Sequence, residues 1–304
     1  FWTPDRLWIN DGKGNFTKRP VPFDHIGMVT DAAWYDVNQD GRPDLFLAGE
    51  FMPLMVYLNA ADGFENATDD YFPEALSGFW NTIDVEDFDG DGKVDILAGN
   101  IGRNTPFQVS DKEPAELHYA DFDENGSIDP FFCFYIQGKS YPYVSRDELN
   151  EQIYSMRRKF TSYKQYAEAT LQEILTPDEL SKDITLSVNE QKTLLLLQRG
   201  GKFVQEQPLP VQAQFSLVRQ VVAGDFDHDG NKDVLLLGNQ TPNRLKMGAI
   251  DANRGCLLRG DGKGHFRYVT QPVSGLNVLG DVKSGILFNW KGRQVLLAGA
   301  TDQE

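Results

Sequence analysis

The sequence is poor in the residues from which catalytic and redox sites are usually built. Only two cysteines occur in 304 residues, Cys133 and Cys256. Both sit in strand-like apolar runs, so they read as buried thiols rather than a disulfide. Four histidines, His25, His118, His228 and His265, are scattered, and no two share the spacing of a metal-binding pair. There is no G-x-S-x-G elbow and no phosphate loop. No apolar run approaches the ~18 residues of a membrane-spanning helix, so this segment is not expected to insert into a membrane. Positive charge is scarce: 29 Lys and Arg stand against 45 Asp and Glu, a formal net charge of −16. That balance argues against nucleic acid and anionic lipid as partners.

What the chain does have is one nine-residue phrase, used four times: DVNQDGRPD (Asp36 to Asp44), DFDGDGKVD (Asp87 to Asp95), DFDENGSID (Asp121 to Asp129) and DFDHDGNKD (Asp225 to Asp233). Hard cations such as calcium take six to eight oxygen ligands, and an alternating acidic loop supplies them. Positions 1, 3, 5 and 9 offer side-chain oxygens: Asp36, Asn38, Asp40 and Asp44; Asp87, Asp89, Asp91 and Asp95; Asp121, Asp123, Asn125 and Asp129; Asp225, Asp227, Asp229 and Asp233. Position 7 (Arg42, Lys93, Ser127, Asn231) offers only its backbone carbonyl, so its side chain is free to vary. Gly41, Gly92, Gly126 and Gly230 stand where the loop reverses and a Cβ would obstruct it. Asp, Asn and Gly also form ordinary turns, but four copies of one ligand pattern point to metal. An EF-hand would need Glu at position 12 and flanking helices; position 12 is Leu47, Ala98, Phe132 or Leu236, and the flanks are strand-like. The expected cofactor is Ca²⁺, up to four ions in structural sites, which would halve the formal charge.

A second phrase is a hairpin: LWINDGKGNFTK (Leu7 to Lys18), MVYLNAADGFEN (Met55 to Asn66), LLLLQRGGKFVQE (Leu194 to Glu206) and CLLRGDGKGHFRYV (Cys256 to Val269). Strand, acidic loop, strand and hairpin make a four-stranded antiparallel unit of about 50 residues, the repeat of a β-propeller. The expected fold class is therefore all-β, a single β-propeller domain over 1–304. Five blades are favoured, with a fragment of a seven-bladed ring as the alternative. The hairpin of residues 1–20 is expected to complete a blade with the strands of 276–300 and so close the ring. In that last unit only Asp281 remains of the acidic phrase, and no metal is expected there. The outer hairpin that follows the second acidic phrase reads as pruned around Thr105 to Glu113, and a helical insertion is expected within one blade over 145–183. Ser145 with Glu148 and Thr176 with Pro177 and Glu179 mark two helix starts. Leu149, Ile153, Met156, Phe160 and Tyr163 follow the first at helical spacing.

The loops, hairpins and period resemble the VCBS/FG-GAP repeat family, whose blades also build the integrin α-subunit head. The segment Gly138 to Leu149 with its following helices resembles the C-terminal part of exported bacterial repeat proteins of the ASPIC/UnbV type. Literal Phe-Gly and Gly-Ala-Pro pairs are absent, so an integrin-like partner is not implied. In the family the acidic loops bind structural calcium. The chain starts at Phe1 and reads as part of a longer, exported protein: periplasmic, outer-membrane-associated or extracellular, where calcium is millimolar. A binding module for a glycan or protein fits best, with Phe72, Phe79, Trp80, Tyr141, Tyr143 and Tyr154 as aromatic candidates for sugar stacking. The polar loops Asn100 to Asn104 and Asn239 to Asn243 are candidate linings of one ring face. The alternatives are a polysaccharide-degrading enzyme on the same fold and a purely architectural domain. Arg259-Gly260-Asp261 reads as turn chemistry.

Overall fold

The structure, a computed structural model, describes residues 3–241, 243 and 247–301. Pro242 of the Asn239–Asn243 loop lies outside them. The chain forms two compact units: Phe1–Thr105 with Lys192–Glu304, and Pro106–Gln191.

The first unit opens on a hairpin, β1 (Leu7–Asn10) and β2 (Phe16–Arg19). Its turn is held by the Asp11 carboxylate, which accepts from the N–H groups of Lys13 and Asn15. A sheet follows in the order β3 (Met28–Tyr35), β4 (Asp44–Pro53), β5 (Met55–Ala60), β6 (Gly63–Asn66), with the short helix α1 (Thr68–Tyr71) after it. Strand β7 (Ser77–Phe79) pairs with the far end of β4. Strands β8 (Thr82–Glu86) and β9 (Asp95–Gly99) begin the next sheet.

The second unit then intervenes. Its sheet contains β10 (Ala115–Ala120), β11 (Asp129–Ile136), β12 (Lys139–Pro142) and β13 (Ile184–Val188), in the order β12-β11-β10-β13. Between β12 and β13 lie five short helices, α2 (Arg146–Gln152), α3 (Met156–Lys159), α4 (Tyr163–Ala167), α5 (Leu171–Ile174) and α6 (Pro177–Leu180).

Back in the first unit, β14 (Leu194–Arg199) pairs with β9 and with β15 (Lys202–Val204). The next sheet runs β16 (Val218–Gly224), β17 (Asp233–Gly238), β18 (Cys256–Gly260), β19 (Phe266–Val269), followed by helix α7 (Gln271–Ser274) and the hairpin β20 (Val282–Trp290) with β21 (Arg293–Ala300).

The middle strands β9 and β17 are buried along their whole length, and β4 over Asp44–Gly49. Both faces of β9 and β17 are covered by neighbouring sheets, and the second face of β4 by Phe23 with Val21 and Ile26, which is why these strands read as continuous apolar runs rather than as alternating ones. Phe46, Val56, Ile83, Ile96 and Leu196 belong to one core between the first two sheets, and Leu97, Leu195, Val221, Leu236 and Leu258 to the next. The first strands of successive sheets touch, β3 with β8, β8 with β16, and β16 with β20. Polar bonds knit them: Thr82 Oγ1 and Ile83 N–H donate to Asp31, and Arg219 donates to Asn81 and Gln240. The approach is close enough to require glycine at the end of β9, where a Cβ on Gly99 would stand 2.8 Å from the Val218 carbonyl oxygen of β16. The fold class is all-β and propeller-like, as expected.

Its connectivity differs from the expectation. In chain order the hairpin 194–206 follows the third acidic loop; it completes the sheet of the second, because Leu194, Leu195 and Leu196 pair with Ala98, Leu97 and Ile96. The segment Thr105 to Glu113 is thus no pruned hairpin. The inserted body is Pro106–Gln191, wider than 145–183, and it carries the third loop and a sheet of its own. Of the expected blades, three are sheets in the first unit, two of them four-stranded and one extended to five by β7, and one lies in the second. The composite blade stands as two separate hairpins, β1–β2 and β20–β21.

Within the second unit the capping boxes at Ser145–Glu148 and Thr176–Glu179 are formed. A third start, unforeseen in the sequence, has the Glu173 carboxylate accepting from Thr170 N–H and Oγ1. Leu149, Ile153, Met156 and Phe160 pack with Leu171 and Ile174 over Phe131 and Cys133 of the sheet. The expected single apolar face breaks at Tyr163, which is exposed and stacks with Arg146, because the helix ends twice before reaching it. Both cysteines are buried and free, as expected.

His118, on β10, is wedged between two carboxylates: Nδ1 lies 2.6 Å from Asp183 and Nε2 3.6 Å from Glu116. Burial alone would lower its pKa, but the bonds to Glu116 and Asp183 outweigh it and raise the value. A raised folded pKa stabilises below the ordinary His value and loses that stabilisation as pH rises through the folded one. The protection of the β10 and β13 amides, taken relative to the intrinsic base-catalysed exchange rate, should therefore fall as pH rises above the ordinary histidine value of about 6.5, and His118→Asn should flatten this dependence. An unchanged pH profile in the variant would rule the clamp out.

Candidate metal centres

All four acidic loops have the same internal wiring. Position 1 accepts from the glycine N–H at position 6: Gly41 to Asp36 at 2.8 Å, Gly92 to Asp87 at 3.0 Å, Gly126 to Asp121 at 2.8 Å and Gly230 to Asp225 at 3.0 Å. Position 5 accepts from the N–H of position 7, in Asp40–Arg42, Asp91–Lys93, Asn125–Ser127 and Asp229–Asn231. The second bond closes an Asx turn and the first spans the loop; both need a short side-chain oxygen, which is why Asp and Asn alone occupy those positions. Position 4 is left-handed in every copy (Gln39 φ 60°, Gly90 φ 75°, Glu124 φ 60°, His228 φ 62°), a feature that no residue preference in the sequence discloses.

Position 9 does something different. Asp44, Asp95, Asp129 and Asp233 are buried. One oxygen of each accepts the N–H of position 2, from Val37, Phe88, Phe122 and Phe226 at 2.9–3.1 Å. In three copies the other oxygen accepts from the third strand of the sheet: Asn59 to Asp44, Gln198 to Asp95 and Gly260 to Asp233. This aspartate staples the loop to the strand that closes its sheet. Burial pushes the Asp95 carboxyl up to about 6, and Asp87 and Asp89 add to the effect; Asp44, Asp129 and Asp233 are raised for the same reason. A nearby cation would reverse that direction.

Three loops bring three carboxylates together, each with one oxygen within 4.8 Å of the others: Asp87, Asp89 and Asp95; Asp121, Asp123 and Asp129; Asp225, Asp227 and Asp229. The first loop forms no such group among the described residues. Asn38 stands at its position 3, and the position-7 side chain, Arg42, draws Asp40 away at 2.6 Å while also donating to the Asn59 carbonyl. In the third loop Asp123 Oδ1 is buried with no hydrogen-bond partner. An all-oxygen donor set with an orphaned carboxylate oxygen fits a hard cation of the calcium type.

Residues 3–47 and 36–98 match the family model described as the FG-GAP-like repeat. Residues 3–98 are FG-GAP-like repeats. The match takes in the first hairpin and the first two acidic loops, with the strands that frame them. FG-GAP repeats build β-propeller-like modules that are often extracellular or periplasmic. No curated protein matches the chain. No helix of the described residues is long and apolar enough to cross a membrane.

Around the acidic loops the structure adds residues that the sequence reading passed over. Arg199, at the end of β14, lies 2.6 Å from Asp89 and 3.5 Å from Asp91, and also holds Glu206 at 2.9 Å. Arg259, in β18, lies 2.6 Å from Asp227. Each follows an apolar third strand immediately beside a loop, the one local signal that could have found them. The Arg259-Gly260-Asp261 tripeptide is consumed locally. Its arginine binds Asp227, its glycine N–H binds Asp233, and its aspartate accepts from Lys263 and His265. Asp281 is buried and accepts from Thr241 N–H and Oγ1. Phe72, Phe79 and Trp80 are core residues, not stacking surfaces. Asn100 and Asn239 are buried in loop–loop bonds. Tyr141 is half-buried and lines an open groove of about 680 Å³ with Tyr135, Ser140, Glu168 and Gln172 in the second unit.

Proposed function

We propose that this chain is a calcium-stabilised FG-GAP module, exported to the periplasm, outer-membrane surface or extracellular space, which binds a glycan or a protein without chemistry of its own. The observation that carries the calcium reading is the convergence of three carboxylates in each of three loops, one with a buried oxygen lacking any partner. Asp121, Asp123, Asn125 and Asp129 would hold an ion through side chains and Ser127 through its carbonyl, with corresponding sets in the other loops. The ion would neutralise a cluster of buried and half-buried carboxylates and fix the turn.

The groove of Tyr135 and Tyr141 supports the binding reading. Tyrosine faces bordered by amide, hydroxyl and carboxylate groups are the lining that sugars take. Ring closure is part of the proposal: β21 has a free outer edge, and Trp8 and Ile9 of β1 are exposed, as is Leu297 of β21. Labelled protein should bind members of a glycan panel saturably in millimolar calcium and lose them in chelator, and Tyr141→Ala should weaken binding about tenfold. A blank panel moves the ligand to a protein. Release of reducing ends from a polysaccharide would overturn the non-catalytic reading.

A further inference from the structure

We infer that Arg199 and Arg259 are built-in competitors for the cations of the second and fourth loops, so that the third loop, which has no such arginine among the described residues, fills first. The inference rests on the calcium reading above and concerns how these residues set the order of the sites.

The Arg199 head is shared. It donates to Asp89 through Nη2 at 2.6 Å and grips Glu206 through Nε at 2.9 Å and Nη2 at 3.1 Å. The Asp89 side chain is only 5% exposed, so this is a largely desolvated, charge-assisted bond rather than a weak surface pair. Asp89 occupies position 3, a ligand position, and an ion entering the loop has to displace the guanidinium from it. Glu206 provides the place to which that head retracts. In the fourth loop Arg259 Nε holds Asp227, again position 3, at 2.6 Å. Arginine keeps its charge at any physiological pH, so neither plug is removed by titration.

The third loop contrasts at the same position. Asp123 Oδ1 is buried and bonds to nothing. The nearby cation, Lys182, bonds Glu124, which stands at position 4 and is no ligand. A buried oxygen without a partner is costly, and an ion that meets it relieves the cost. The first loop ranks last, because Arg42 holds Asp40 and its carboxylates do not converge.

This order opposes what ligand charge alone predicts. Calcium affinity ordinarily rises with the number of carboxylates. The second and fourth loops carry four aspartates each and the third only three, with Asn125 at position 5. The arginine plugs invert the ranking.

The test is calcium titration of the whole chain, with bound ions counted by native mass spectrometry and affinities read by calorimetry. The first ion taken up by the unsubstituted protein should vanish in Asp123→Asn and persist in Asp89→Asn. Arg199→Gln should tighten one weak site about tenfold, and Arg259→Gln a different one. Lys18→Gln, an equal charge change on an exposed β2 side chain, should move neither. The two arginine variants lie on different strands, so the misfolding of one leaves the other informative. Loss of the first ion in Asp89→Asn, or unaltered weak sites in both arginine variants, overturns the inference while leaving calcium binding intact. A chain that takes up no ion in millimolar calcium overturns the calcium reading itself, and the inference with it.

Discussion

Chelation is expected to lower the unfolding free energy by about 2.7 kcal/mol for each site held at a hundredfold excess of calcium over Kd. The third loop should supply a distinct share. Asp123→Ala removes a buried oxygen that makes no bond within the protein, so in chelator it should not destabilise the chain and should instead stabilise it by relieving an unpaired polar atom. In calcium the same substitution should cost the whole contribution of that site. Urea unfolding of the two proteins in both conditions measures the four quantities. Coincident curves in calcium and chelator for the unsubstituted chain would sink the claim that folding and metal binding are coupled.

Asp95→Ala should behave in the opposite way, costing about 3 kcal/mol with or without calcium. Asp95 is fully buried, and its two oxygens accept the N–H groups of Phe88 and Gln198 at 2.9 Å each. Alanine leaves two buried donors without acceptors, each a loss of about 1–3 kcal/mol. Relief of a desolvated carboxyl whose pKa is pushed up to about 6 returns part of that. Position 9 thus combines two roles that chelation separates: a staple at all times, a ligand only with the ion. If Asp95→Ala proved as mild in chelator as Asp123→Ala, the staple would be refuted. Asp233, wired alike to Phe226 and Gly260, offers an independent repeat of the measurement.

The contrast between these two aspartates also shows how far the residues alone could be followed. Both belong to one phrase, and nothing in DFDGDGKVD or DFDENGSID says which oxygens are spoken for by backbone amides. The turn itself was legible, because its bonds join residues two to five positions apart and glycine at position 6 is demanded by the local backbone. The helix starts at Ser145 and Thr176 were legible for the same reason. Tyr163 was not, since helical spacing says nothing of where short helices end. Arg199 and Arg259 were invisible as loop partners because their carboxylates lie 110 and 32 residues away along the chain.

By itself the sequence determined the repeating loop, the strands that frame it, the all-β class and the acidic balance, all set by residues close to one another in the chain. The tertiary structure alone decided which hairpin closes which sheet. The outer edge of β9 is completed by β14, across an insertion that carries a complete sheet and the third loop. Loop-closure entropy rises only by about 0.6 kcal/mol for each doubling of length, so a distant strand with the right apolar face competes on nearly equal terms with a near one. What selects β14 is the fit of Leu194, Leu195 and Leu196 against a buried strand and the Gln198 amide against Asp95, contacts that exist only once the chain has folded.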